Sequence, residues 1–174
     1  MKELTLREVP HHIKSKHELY MPKEMIIEKN VSINNNIGEV FSFLKETRNQ
    51  DKFSVWNMKD PNMKKSYSGI DGTKGFIYSW DSKDKNVGAG AQEIIDIKEG
   101  NRIDYEMRFS RPMQNTATAS FVLDKIDENT TSVTWTFRSP TKFPMSLFSP
   151  IFKKILGKQL DQGLQNLKSL LDKK

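Results

Sequence analysis

After residue 64 the sequence keeps a period of two through a series of short segments, and after residue 149 it switches to a helical period and stays there. Such a chain lays down its strands first and covers them last. Ile103, Tyr105, Met107 and Phe109 face one way while Asp104, Glu106, Arg108 and Ser110 face the other, as expected of a strand with one dry and one wet side. Phe76, Tyr78 and Trp80 alternate in the same manner, as do Ala117, Ala119 and Phe121, and Val133, Trp135 and Phe137. Turn signals separate these segments at Asp71-Gly72, Asp84-Lys85-Asn86, Glu99-Gly100-Asn101 and Asp127-Glu128-Asn129. Consecutive strands joined by short turns pair antiparallel. The final segment carries Ile151, Ile155, Leu160, Leu164, Leu167 and Leu171 at helical spacing, joined by Phe152 and Leu156. Ser149 stands at the cap position and Pro150 at the first helical position. The period predicts about six turns, long enough to cross a domain. A sheet with one apolar face needs a cover, and this helix supplies it.

The segment before residue 64 adds one more strand and two short helices. Met25, Ile27, Val31 and Ile33 define a buried strand face. Asn36 is a suitable N-cap, with Glu39 three residues on as in a capping box. Ile37, Val40, Phe41 and Leu44 then share a helix face, and a second short helix is expected through residues 49–53. Phe53, Val55 and Trp56 follow as an apolar cluster. Gly88 and Gly90 near the start of a strand predict a bulge, or a backbone that a neighbour approaches closely. Residues 1–23 contain Pro10, Pro22, His11, His12 and His17 and no clear period, so they read as an extension to a domain spanning residues 24–174. The expected class is α+β, with a curved antiparallel sheet of about seven strands around a long C-terminal helix.

This order of elements resembles the helix-grip fold of the START-like superfamily, which includes lipid-transfer domains, the major birch-pollen allergen and aromatic polyketide cyclases. Trp56-Asn57, Asp60-Pro61-Asn62-Met63 and Tyr67-Ser68-Gly69 are similar to bacterial proteins of its polyketide cyclase/dehydrase-like branch. So are Tyr78-Ser79-Trp80-Asp81, Gly88-Ala89-Gly90, Arg108-Phe109 with Pro112, and the tail around Gly163-Leu164 and Asn166-Leu167-Lys168. The resemblance covers residues 25–172. It implies an apolar ligand held between sheet and helix, and it implies no shared catalytic set.

Composition removes several classes of chemistry. The chain has no cysteine, which excludes disulfides, thiolate nucleophiles and Cys-based metal sites. All three histidines precede residue 18, so neither a Ser–His–Asp triad nor a His-based zinc site is expected inside the domain. Gly88-Ala89-Gly90 lacks the Lys-Ser/Thr of a phosphate loop, and Asp81-Ser82-Lys83-Asp84 fails the calcium-loop pattern. No cofactor, metal or catalytic residue is indicated. No apolar run reaches the ~20 residues of a spanning helix, and the N-terminus shows no apolar h-region, so a cytoplasmic location is expected. The net charge of +6 is spread among interleaved Lys and Asp/Glu, which reads as a solvated surface. No RNA-stacking motif or recognition helix points to nucleic acid.

The aromatics carry the functional reading. Trp80, Tyr105, Phe109, Trp135 and Phe137 fall on the apolar faces of their strands, Trp56 lies in the preceding cluster, and Met145, Phe148 and Phe152 approach from the helix side. Such side chains line small-molecule pockets. Tyr105 and Arg111 share the inward face of their strand, with Arg111 at its end, and one or the other is the expected orienting group for a polar ligand end, Arg111 for an anionic one. The alternative for Arg111 is a surface ion pair. Glu93 faces the cavity or the solvent depending on the register around Ile94-Ile95. Three functions compete: a carrier of a lipid-like or aromatic molecule, an enzyme of cyclase, dehydratase or hydrolase type using Tyr105 and a carboxylate, and a chaperone-cofactor-like interaction module with a filled core. A void of ~300 Å³ or more favours binding. Deleting residues 1–22 is expected to shift the melting temperature only slightly, because they show no core pattern. Loss of soluble expression on deletion would instead mean that they complete the sheet.

Overall fold

The computed structural model describes residues 23–141 and 149–173. The first strand, β1 (Lys23–Ile33), is followed by helix α1 (Ile37–Lys45), a 3-10 helix (Thr47–Lys52) and helix α2 (Val55–Lys59). Six strands follow: β2 (Lys64–Ser68), β3 (Ile77–Asp81), β4 (Ala89–Lys98), β5 (Arg102–Arg111), β6 (Asn115–Asp127) and β7 (Thr130–Thr141). Helix α3 (Ser149–Leu171) closes the chain. The strands form one seven-stranded sheet in the order β1-β7-β6-β5-β4-β3-β2, and every pairing is antiparallel. This is the α+β helix-grip architecture that the sequence predicts. The helical segment before β2 differs, because the apolar cluster at Val55 and Trp56 forms a helix of its own after the 3-10 turn.

The alternation read from the sequence sets the two faces. Ile27, Ile33, Ile94, Ile103, Tyr105, Phe121, Leu123 and Val133 are buried on the inner face. The outer face of β4 and β5 carries a charge ladder in which Arg108 pairs with Glu93 at 2.9 Å and Glu106 at 2.5 Å. Register shifts in β4 fall between Ala89 and Gly90 and between Ile94 and Asp96, each a point where the sheet bends. Gly90 also meets the second expectation. A Cβ there would lie 2.6 Å from the Arg108 carbonyl oxygen and 2.8 Å from Trp80 Cζ2, so the indole lies across a strand that has no side chain at that point.

Asn36 caps α1 as expected, its Oδ1 accepting from the Glu39 N–H at 3.0 Å. The reciprocal half of the capping box does not form, because the Asn36 N–H donates to Asn35 Oδ1 at 2.8 Å and Glu39 pairs with Lys173. Asp71, read as a turn residue, also accepts from the Thr47 and Arg48 N–H groups at 2.8 and 3.1 Å and so caps the 3-10 helix.

The long helix is tied at its C-terminal end. Asn35 Nδ2 donates to the Leu171 carbonyl at 3.1 Å, the Asn34 N–H donates to Asp172 Oδ1 at 2.7 Å, and the Lys173 N–H donates to the Asn34 carbonyl at 2.9 Å. Its buried face consists of Leu160, Leu164 and Leu167, with Leu156 and Leu171 partly covered. The expected face is too long at its start, since Ile151, Phe152 and Ile155 are exposed. Gly157 lies beside Ile27 and Lys29, and Lys168 donates to the Ser32 carbonyl, so α3 and β1 run in the same direction. At ~1.5 Å per helical residue against ~3.3 Å per strand residue, Ile151 is level with the first residues of β1, where the sheet ends. Residues 1–22 and 142–148 lie outside the described part, so the readings of the N-terminal extension, of Met145 and Phe148, and of the Ser149 side chain as a cap do too.

Two glycines of α3 make opposite demands. A Cβ on Gly157 would meet Lys29 Cε and Ile27 Cγ2 at 3.5 and 3.6 Å, ordinary contact distances. A Cβ on Gly163 would lie 2.9 Å from Trp135 Cζ3, and that indole is held by Phe53, Trp56 and Phe121. Gly157→Ala is therefore expected to stabilise by roughly 0.5–1 kcal/mol through helix propensity. Gly163→Ala is expected to destabilise by about 1 kcal/mol net, because overpacking of typically 1–3 kcal/mol outweighs that gain. Thermal melts should move in opposite directions by about 2–4 °C. A stabilising Gly163→Ala would mean that α3 does not rest on Trp135.

Candidate functional site

The space between the inner face of the sheet and α3 is not filled. A cavity of about 210 Å³ lies there. Trp80 on β3, Phe109 on β5, Phe137 on β7 and Trp135 form its aromatic wall, with Trp56 from α2 and Leu156 and Leu160 from α3. The rings touch in sequence across the strands. Trp80 meets Phe109 edge-on at 5.9 Å between centroids, and Phe109 meets Phe137 at 6.5 Å. Deeper in, Trp56 packs on Trp135 at 6.3 Å, Trp135 on Phe121 at 4.9 Å and Phe121 on Tyr105 at 6.2 Å. Trp80, Phe109, Phe121 and Trp135 each touch at least two other rings, which restrains the middle of the wall.

Of the expected binding residues, Trp56, Trp80, Tyr105, Phe109, Arg111, Trp135 and Phe137 meet at this one cavity. Phe152 does not. It is 42% exposed and absent from the lining, because the first turns of α3 sit at the end of the sheet. Arg111 stands at the rim, its side chain more than half exposed, with its guanidinium engaged by Asp81 and donating to the Ser82 carbonyl at 3.3 Å. Arg111 thus lines the cavity and also makes the surface ion pair of the alternative reading. Glu93 faces outward onto Arg108, so the neighbouring position turns inward. Gln92 is 5% exposed and lines the cavity.

The sequence reading missed the polar end of the site. Gln50, Asn57, Tyr78 and Gln92 all contribute to the lining. The Tyr78 hydroxyl accepts from Asn57 Nδ2 at 3.2 Å, and Asn57 also donates to Asp51 at 2.8 Å. Burial, with smaller effects from Asp51 and Tyr67, raises the Tyr78 pKa above its ordinary value. Burial likewise raises the Tyr105 pKa, against the favourable influence of the Thr47 and Gln50 side chains beside it. Both phenols are therefore neutral wherever ordinary tyrosine is. The Tyr105 hydroxyl, Gln92 Nε2 and Thr47 Oγ1 are buried without a well-formed hydrogen-bond partner among the described residues. Alternation in β4 would have marked Gln92 as inward, had the bulge before Asp96 not hidden the register.

Among the described residues no group of His, Asp and Glu converges as a metal site, and no helix is long and apolar enough to cross a membrane. Arg111 is the one charged residue in the described lining.

No family model matches the chain, and no curated protein matches it. Solved structures do. The di-domain ARO/CYC StfQ from the steffimycin biosynthetic pathway superposes with a TM-score of 0.64 at 12% identity, over 90% of this chain and 53% of StfQ. Protein CV1439 from Chromobacterium violaceum aligns with a TM-score of 0.61 at 13% identity, over 86% of this chain and 99% of its own. The Aha1 dimer from Colwellia psychrerythraea aligns with a TM-score of 0.59 at 15% identity, over 84% of this chain and 96% of its own. With its seven-stranded sheet gripping one long helix, the chain has the helix-grip fold of these solved structures.

Proposed function

We propose that this protein binds a small, largely apolar aromatic molecule in the cavity between the sheet and α3, in the manner of a carrier or receptor. The observation that supports this most directly is the unfilled aromatic space itself. Interiors are normally packed to crystal-like density, so a void walled by rigid rings stands out from an ordinary core. Its volume of about 210 Å³ falls short of the ~300 Å³ set by the sequence reading, and so narrows the ligand. An engineered cavity of roughly 150 Å³ takes benzene, whereas drug-sized ligands occupy about 300 Å³ or more. One or two fused rings fit the described space, and a long acyl chain does not.

The binding reading is favoured over an enzyme because the described lining holds no carboxylate and no histidine. General acid–base catalysis needs a group that titrates near the working pH. Tyr78 and Tyr105 are both shifted away from neutrality, and Glu93 lies on the other face of the sheet, tied to Arg108. StfQ is an ARO/CYC, and at 12% identity its likeness to this chain shows the fold alone.

Filling the cavity tests this reading. Ala119 lines it from β6, between Tyr105 and Phe137 on the flanking strands. Ala119→Leu is expected to keep or raise the melting temperature, as cavity-filling changes do, while weakening a bicyclic aromatic probe at least tenfold by calorimetric titration. Unchanged probe affinity in Ala119→Leu would exclude this cavity as the site. The sign of the tyrosine shifts gives a second expectation. A raised phenol pKa leaves the neutral form unaltered until above the ordinary value of about 10, so affinity for a neutral probe should stay flat from about pH 5 to about pH 9. A change of several-fold in that window would count against a non-titrating lining.

A further inference from the structure

Two polar atoms of the cavity wall lack a well-formed hydrogen bond among the described residues. Gln92 is 5% exposed and its Nε2 has no hydrogen-bond partner among the described residues, and Tyr105 is 1% exposed with its hydroxyl beside Thr47 and Gln50 but without a well-formed bond to either. Buried polar groups in native proteins are almost always paired, and each exception asks for an explanation. The two residues are close on the inner face. Gln92 pairs with Met107 across β4 and β5, and Ile94 pairs with Tyr105, so Gln92 and Tyr105 are diagonal neighbours on adjacent strands. Both open onto the same cavity, whose lining is mostly aromatic or aliphatic, with Gln50, Ser54 and the Asn57–Tyr78 pair among its polar members.

Building on the cavity as a binding site, we infer that its ligand is a neutral one- or two-ring molecule carrying a hydrogen-bond acceptor, such as an aryl carbonyl, and that Tyr105 and Gln92 receive that acceptor. A phenol O–H and a primary amide both donate, and a carbonyl oxygen has two lone pairs to accept from them. Neutrality follows from what surrounds the pair. Among the described residues no charged side chain lines the cavity at that end, and the carboxylates behind it, Asp71 and Asp51, are already matched by Arg48 and Lys65, so no unpaired charge is left to balance an ionic ligand. The one cation of the described lining, Arg111, stands at the rim and is already matched by Asp81. Water held on the same two atoms is the competing explanation, and it makes no distinction between ligands.

The test compares three probes of one size: 1-tetralone, its hydrocarbon analogue tetralin, and 1-naphthoate. Binding to the parent, to Gln92→Leu and to Tyr105→Phe is followed by amide-resolved NMR titration. The quantity read is the ratio of tetralone to tetralin affinity in each protein, which cancels differences in transfer from water. That ratio is expected to fall about tenfold in Gln92→Leu and in Tyr105→Phe, the loss of one neutral hydrogen bond each. Tetralin affinity should change little, and naphthoate should bind the parent more weakly than tetralone. Because each substitution removes an unpaired polar atom and keeps the bulk, the unliganded variants should melt at or above the parent's temperature. An unchanged affinity ratio in both variants, or tighter binding of naphthoate than of tetralone, would overturn the inference while leaving the cavity as a binding site. Failure of tetralin to bind the parent at all would overturn the cavity reading as well.

Discussion

Hydrogen bonds between Asn34, Asn35 and the last residues of α3 hold the helix to the turn after β1. Three of them join that turn to Leu171, Asp172 and Lys173, and Lys173 adds an ion pair to Glu39 of α1. The same turn receives the Thr131 hydroxyl on the Asn35 carbonyl, so the first and last strands meet the clasp as well. With its end fixed there, α3 lies along β1 and rests on Trp135 at Gly163. A helix held over one margin of a curved sheet cannot fill the hollow over the other strands. The cavity is thus a consequence of where the helix is tied, and not of any single small residue.

The two faces of the sheet divide the electrostatics between them. Arg108 bridges Glu93 and Glu106 on the outside, and Arg102 chelates Asp104 beside them at 2.7–2.9 Å. These exposed pairs add little stability individually. Their effect is to keep ionised groups on the wet face, since an ion turned inward would carry a desolvation cost that nothing in the cavity offsets. The net charge of +6 therefore marks the surface and not the site.

Much of this arrangement was legible in the sequence because the signals are local. The alternation of Ile103, Tyr105, Met107 and Phe109 depends only on the period of a strand, and so the inward aromatics fall where expected. What was not legible depends on pairing across the chain. Gln92 faces inward because it is registered opposite Met107, and the bulge between Ile94 and Asp96 breaks the local pattern that would have revealed it. Asp71 caps the 3-10 helix from more than twenty residues away, an interaction that no spacing rule near either segment announces. The first turns of α3 keep a helical period past the end of the sheet, since periodicity identifies a helix's apolar side but not how much of that side has anything to cover.

One feature of the lining reaches beyond recognition. The chain has three tryptophans, and Trp56, Trp80 and Trp135 all look onto the cavity. Indole emission responds to the polarity and mobility of its immediate surroundings, and no distant indole dilutes the signal here. The ultraviolet fluorescence of this protein is in effect emitted by its cavity wall, so an occupant that quenches or shields those rings changes the optical signature of the whole molecule without any attached dye.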